Sequence, residues 1–341
     1  MKIAIVKLSA LGDIVHAMTT LQFIKKRVPD ASIDWIVEER FSDLLKDNPD
    51  IDRILTVRLK ALKDTPTQLF SEIGRIKRYA GNDYDIVIDL QGLIKSALLS
   101  RMLGPAVGFD RHSIREGAAS FLYRKSYAIP YGLNVIYRNI RLVDAALDIE
   151  TSGREIEEKS PFLYFAAEEA SRVSPLIRKG KATILYILGS SWESKVYPRE
   201  KMAEVVQALG ENALLVWGSD AERESAEYLS SVTAANILPR LGLGELKALV
   251  SMADLVIGGD SGPTHFAWAL NRPSITLFGP TPAERNVLAG SYSRVLSSTS
   301  HVDPLRLNRK DFSISEIEPE EIVASARVLL KYSASHPGVS V

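Results

Sequence analysis

Short apolar runs rich in β-branched residues alternate along this chain with stretches whose apolar positions recur every three to four residues. Lys2–Leu8, Ile33–Val37, Arg53–Val57, Tyr84–Asp89 and Ala106–Phe109 read as strands. Val15–Arg27, a short segment near Phe41–Asp47, Thr67–Ala80, Leu93–Leu103 and Asn134–Leu147 read as helices. The second half repeats the alternation, with strands at Ala182–Ile187, Ala213–Trp217, Leu255–Ile257 and Ser274–Phe278. Its helices are expected at Arg199–Leu209, Ala221–Ser231, Leu243–Met252, Gly262–Leu270 and Glu318–Lys331. Such alternation predicts an α/β chain of parallel, doubly wound sheets covered by helices on both faces. The length of 341 residues suits two Rossmann-like domains. They are expected at residues 1–165 and 180–315, with the polar stretch Thr151–Ser160 between the halves and a linker near 160–180. Two halves of this kind predict a ligand cleft between them.

Composition narrows the chemistry. The chain has no cysteine, which excludes disulfides, zinc–thiolate sites and a thiol nucleophile. The start, MKIAIVKLSALGD, does not read as a signal peptide, and no run approaches the roughly 20 apolar residues of a membrane span. A cytoplasmic protein is expected. Net charge is zero and no recognition module is visible, which argues against a nucleic-acid partner. Charge is uneven, however: between Arg53 and Arg141 acids are about half as frequent as Lys and Arg. A basic face on a neutral chain points either to an anionic partner or to a solvated surface.

Four strand-to-helix connections carry polar residues suited to chemistry. LVIGGDSGPTH (Leu255–His265) runs from strand through a glycine turn into a helix, whose unpaired amides and dipole suit a phosphate. The amides of Ser261 and Gly262 are the candidates, with Asp260 at the strand end and Thr264 and His265 in the first helical turn. Asp260 also fits a helix cap, and His265 a structural histidine. KLSALGD (Lys7–Asp13) lacks the GxGxxG fingerprint, which argues against a dinucleotide oxidoreductase. Asp13 there reads either as a helix cap or as a general base kept ionised by the helix N-terminus. In GSSWESK (Gly189–Lys195), Ser190, Ser191 and Lys195 are candidate phosphate ligands. In WGSDAER (Trp217–Arg223), Glu222 suits the two hydroxyls of a ribose, unless the segment only caps its helix.

These motifs, with IDLQGLIKSA (Ile88–Ala97), resemble the ADP-heptose:lipopolysaccharide heptosyltransferases of glycosyltransferase family 9 from Met1 to about Lys331. The resemblance implies the GT-B fold, with a helix at 316–332 crossing back to the N-terminal domain. It implies transfer of heptose, with inversion, from ADP-heptose to a Kdo residue of Kdo2-lipid A. It casts Asp13 as the catalytic base and places Lys195, Glu222 and Asp260 in the donor site. The acceptor would lie against cations of the first half, for which Arg58, Lys60, Lys63, Lys95, Arg115 and Arg138 are candidates. No cofactor and no metal are expected, since no DxD-type acidic pair accompanies the phosphate motifs. Peripheral contact with the anionic cytoplasmic face of the inner membrane would follow from the basic excess. The family often has a histidine opening a HAVERN-like segment; here that position is Asn134. Two alternatives stay open: a sibling acting on a heptose acceptor, and a non-catalytic protein that binds nucleotide or lipopolysaccharide.

Overall fold

The isoleucine- and valine-rich runs of the first half form the middle of a parallel sheet. A computed structural model describes residues 1–60 and 66–335, which divide into two units between Phe162 and Leu163. In the first unit the order is β1 (Lys2–Val6), α1 (Leu11–Met18), α2 (Thr20–Arg27), β2 (Ser32–Glu38), β3 (Arg53–Val57), α3 (Leu69–Ala80), β4 (Ile86–Asp89), α4 (Ile94–Leu103), β5 (Ala106–Phe109), β6 (Lys125–Tyr127), α5 (Val135–Leu147) and α6 (Gly153–Glu157). The strands lie in the order β3-β2-β1-β4-β5-β6 and every pair is parallel. Ile3 pairs with Ile33 on one side and Ile86 on the other, and β1 is buried from Ile3 to Val6. Strand order reverses between β1 and β4. The connections there leave in opposite directions and open a crevice at the strands' carboxyl ends.

The second unit runs α7 (Ala167–Val173), β7 (Thr183–Ile187), α8 (Arg199–Leu209), β8 (Asn212–Val216), α9 (Asp220–Val232), β9 (Asn236–Ile237), α10 (Leu243–Met252), β10 (Leu255–Gly259), α11 (Gly262–Ala269), β11 (Ser274–Phe278), α12 (Ala283–Asn286), β12 (Ser293–Ser297) and α13 (Pro319–Ser335). Its order, β12-β11-β10-β7-β8-β9, is again parallel throughout and reverses between β7 and β10.

Several boundaries differ from the sequence expectation. The helix expected over Val15–Arg27 begins earlier, at Leu11, and is two helices that meet at Thr19, where the Thr20 hydroxyl donates to Ala17 O at 2.8 Å. The segment expected as helix near Phe41–Asp47 is a 3-10 helix at Glu39–Leu44. The polar stretch 151–160 is no spacer. It contains α6, capped by Ser152, and Glu155 pins it to α2 through Lys26 at 2.6 Å and Arg27 at 2.8 Å. The expected linker near 160–180 carries α7, which packs on α10. The helix expected over 316–332 is α13, whose Ile322, Val323, Ala326 and Leu329 join Ile184, Ile257 and Leu277 in the core of the second unit.

Candidate active site

The reversal point of the second sheet gathers most of the residues singled out there. β10 ends in two glycines for a steric reason. A Cβ at Gly259 would stand 2.5 Å from Lys195 O, so only glycine lets the Glu193–Lys195 turn settle on the strand end. The Lys195 side chain then reaches Asp260, Nζ to Oδ2 at 2.7 Å, and both groups are buried. Asp260 Oδ2 also accepts Thr281 Oγ1 at 2.8 Å and Asn286 Nδ2 at 3.2 Å, while Oδ1 lies 3.1 Å from His265 Nε2. Burial works against a charged carboxylate here. The His265 hydrogen bond and the Lys195 charge outweigh it and hold Asp260 well below the usual carboxylate range. The Ser190 hydroxyl donates to Asp260 O at 3.1 Å, which joins the two connections. α11 opens at Gly262 with Ser261 as N-cap, and the Ser261 and Thr264 hydroxyls share a 3.1 Å hydrogen bond. First-turn amides have no carbonyl four residues earlier to bond, so this end of α11 suits an anion.

Gly259→Ala is expected to push the Lys195 turn off β10. The dissociation constant for a nucleoside diphosphate, the anion this turn suits, should rise about tenfold, the effect of losing about 1.4 kcal/mol, in a titration against the folded variant.

Glu222 lies in the first turn of α9, capped by Ser219, and its Oε2 accepts Gly218 N–H at 2.6 Å. Its carboxylate fills the space that a side chain at Gly189 would occupy. Ser191 is exposed. Nearby, a cavity of about 340 Å³ is lined by Gly189, Lys195, Arg199, Ser225, Gly259 and Phe312. Thr281, Asn286 and Trp192 were not expected at this site. Trp192 has Lys195 Nζ 5.4 Å and Arg309 Cζ 4.7 Å from its ring centroid, a cation–π arrangement on both counts. Thr281 and Asn286 come from the connection after β11, where only the position beyond a strand end marks them.

Asp13 stands at the reversal point of the first sheet, in the first turn of α1 and partly exposed. Its Oδ2 accepts Ala10 N–H at 3.1 Å. The carboxylate thus does close the helix start, with one oxygen. The β1–α1 connection is fixed from β4 as well, since Gln91 Oε1 accepts Leu8 N–H at 3.0 Å and Ser9 N–H at 3.1 Å.

The candidate acceptor cations fare differently. Arg138 departs from expectation. It is buried, donates to Ile129 O, Pro130 O and Ser113 O at 3.1, 2.7 and 2.7 Å, and lies over the Phe109 and Tyr131 rings. A guanidinium so placed ties loops together; it is not an open cation. Arg58 is exposed and grips Glu39 with two 2.8 Å bonds, which hold the Glu39 carboxyl below its ordinary range. Lys60, Lys95 and Arg115 are exposed. Lys63 lies outside the described residues. Asn134 is the N-cap of α5, its Oδ1 accepting Ile136 N–H at 3.0 Å.

The family model for glycosyltransferase family 9 (heptosyltransferase) matches residues 74–306. The chain is similar to lipopolysaccharide heptosyltransferase 1 of Campylobacter coli, with 36% identity across 96% of this chain and 99% of that one. The enzyme of the same name from Pseudomonas aeruginosa is 31% identical across 94% and 93%. Among solved structures, Escherichia coli heptosyltransferase WaaC with ADP superposes with a TM-score of 0.80 at 23% identity, covering 96% of this chain and all of that one. A family 9 glycosyltransferase from Veillonella parvula gives 0.81 at 20% identity, covering 97% and 98%. The two parallel six-stranded units and the likeness to these structures give the GT-B fold, and the family match makes the chain a glycosyltransferase. The chain belongs to glycosyltransferase family 9, the heptosyltransferases.

Proposed function

We propose that this enzyme transfers L-glycero-D-manno-heptose from ADP-heptose to a Kdo residue of Kdo2-lipid A in building the lipopolysaccharide inner core. The observation that carries the reading is the pairing of full-length similarity to heptosyltransferases 1 with a carboxylate turn and an anion-binding turn, each at the reversal point of its own sheet. Asp13 takes the proton of a Kdo hydroxyl, and that oxygen attacks the anomeric carbon on the face opposite ADP. The bond to the diphosphate oxygen breaks as the new glycosidic bond forms, so configuration inverts. Charge grows on the leaving diphosphate. Lys195 and the amides of Ser261 and Gly262 stabilise it, with Ser190 and Ser191 as further ligands. Thr264 shapes the turn and His265 braces Asp260. Glu222 accepts from the ribose hydroxyls.

The acceptor, anionic and lipid-borne, is met by the exposed cations Arg58, Lys60, Lys95 and Arg115, with Lys63 as a further candidate. Among the described residues no helix is long and apolar enough to cross a membrane. The proposed association with the cytoplasmic face of the inner membrane is peripheral and electrostatic, carried by these cations. Because Lys195 and a helix N-terminus supply the positive charge, turnover is expected to survive EDTA. The test is a coupled assay of ADP release with ADP-heptose and Kdo2-lipid A in the chelator. Release with a heptose-terminated acceptor instead would assign a sibling activity, and no release with either would leave a binding protein.

A further inference from the structure

The connection that carries Asp13 is not held by its own residues alone. Gln91 reaches across from the end of β4, and its Oε1 takes both Leu8 N–H and Ser9 N–H. Since both partners are donors, the atom facing them has to be the amide oxygen. Asp13 takes the next amide, that of Ala10. Three successive amides of the turn are therefore fixed by two side chains, one of them the proposed base.

Gln91 is itself firmly placed. The buried Asp89 accepts Gln91 N–H at 2.8 Å, Gly92 N–H at 3.1 Å, Ser96 Oγ at 2.8 Å and Tyr123 OH at 2.8 Å. Gly92 turns the chain at φ +69°, and a Cβ there would stand 2.7 Å from the Ile114 side chain. Lys7 Nζ donates to Leu90 O at 2.9 Å, a second link between the same two strand ends. A rigid clasp thus spans the reversal point, and its last member is the Gln91 amide.

We propose that Gln91 is a positioning residue for Asp13: it fixes the backbone ahead of the carboxylate so that the base meets the acceptor hydroxyl in one geometry. The inference rests on Asp13 acting as the base. A carboxylate displaced by about an ångström loses rate more than affinity, since misplacement of that size can cost about 100-fold.

Gln91→Leu keeps the volume and removes the acceptor oxygen. Its kcat is expected to fall about 10- to 100-fold, with KM for ADP-heptose within about twofold of wild type, the pattern of a lost transition-state interaction. Gln91→Glu keeps an oxygen toward Leu8 and Ser9 and should restore most of kcat. Its added negative charge beside Asp13 should move the acid limb of the pH–rate profile to higher pH. Wild-type kcat in Gln91→Leu would overturn the proposal. So would a loss confined to KM, or a Gln91→Glu variant as slow as Gln91→Leu with its acid limb unmoved. Should Gln91→Leu fail to fold, the kcat and acid limb of Gln91→Glu decide the matter alone. Asp13→Asn, assayed alongside, separates the two ideas. If Asp13→Asn turns over normally, the base assignment fails and this inference with it. If Asp13→Asn is inactive while Gln91→Leu is normal, only the role of Gln91 fails.

Discussion

Asp13→Ala is expected to slow turnover by about 10²- to 10⁴-fold, the range a positioned general base contributes, while ADP binds as before. The position of the residue separates these two effects. Asp13 belongs to the first unit, whereas the groups proposed to hold ADP lie in the second. Asp13 stands in the first turn of α1, at the positive end of the helix dipole. One oxygen is occupied by Ala10 N–H, which orients the group and leaves Oδ1 for the proposed acceptor hydroxyl. The fold should tolerate the change, because the loss at a partly exposed helix start is about 1 kcal/mol. Asp13→Asn is the more stringent variant: it keeps the oxygen that closes the helix and removes only the basicity. Rates with saturating donor, set beside an ADP titration of each variant, give the measurement. A variant with undiminished turnover would dismiss Asp13 as the base.

The parts of the fold legible in the sequence were those with a buried apolar signature. β5 and β11 fall at the expected residues, and the other central strands within two residues at each end. The edge strand β3, also at its expected residues, owes this to its β-rich run Ile54–Val57 and not to burial. The three strands that pattern reading missed, β6, β9 and β12, all lie at sheet edges. Lys125–Tyr127, Asn236–Ile237 and Ser293–Ser297 are short or half-exposed, so they need no continuous apolar run, and their pairing is set by the neighbour already in place. α6 and α7 are too short to show a helical period.

The chemistry divides along similar lines. Residues lying just after a strand end and just before a helix were visible as candidates because the backbone there is committed to an α/β crevice. Lys195 and Asp260 sit in such connections, and Asp13 and Glu222 in the first turn of the helix that follows one. What sequence could not show is where each side chain spends its hydrogen bonds. Arg138 counted as a cation, yet its guanidinium is consumed by three carbonyls contributed by two separate loops. Gln91 stood in a motif that marked the family, but its role depends on amides more than 80 residues away. Such long-range satisfaction of backbone donors leaves no local periodicity to read.

The buried Lys195–Asp260 pair yields the second large effect, and it separates stability from catalysis. Lys195→Met removes the cation and leaves Asp260 ionised and buried, with only neutral donors and His265 around it. Breaking a buried pair in this way costs about 3–5 kcal/mol, so the melting temperature should fall markedly. Adding Asp260→Asn removes the stranded charge. An amide keeps the shape: with its oxygen in the place of Oδ2 it still accepts from Thr281 and Asn286, and its NH2 group faces His265 Nε2 and donates to it. The double variant should therefore regain most of the lost stability. Turnover should not return with it. In the proposed reaction the diphosphate leaves with growing negative charge, and removing one preorganised donor to such charge costs about 10²- to 10³-fold. Acid titration gives an independent check. Folding depresses the Asp260 carboxyl, so its contribution is fully present above the ordinary aspartate value of about 3.9 and is lost as pH falls below it. Wild type should therefore lose this component of stability on acidification, and the double variant should lack it. Recovery of both stability and rate in the double variant would mean that Lys195 is a structural counter-ion for Asp260 and takes no part in releasing the diphosphate.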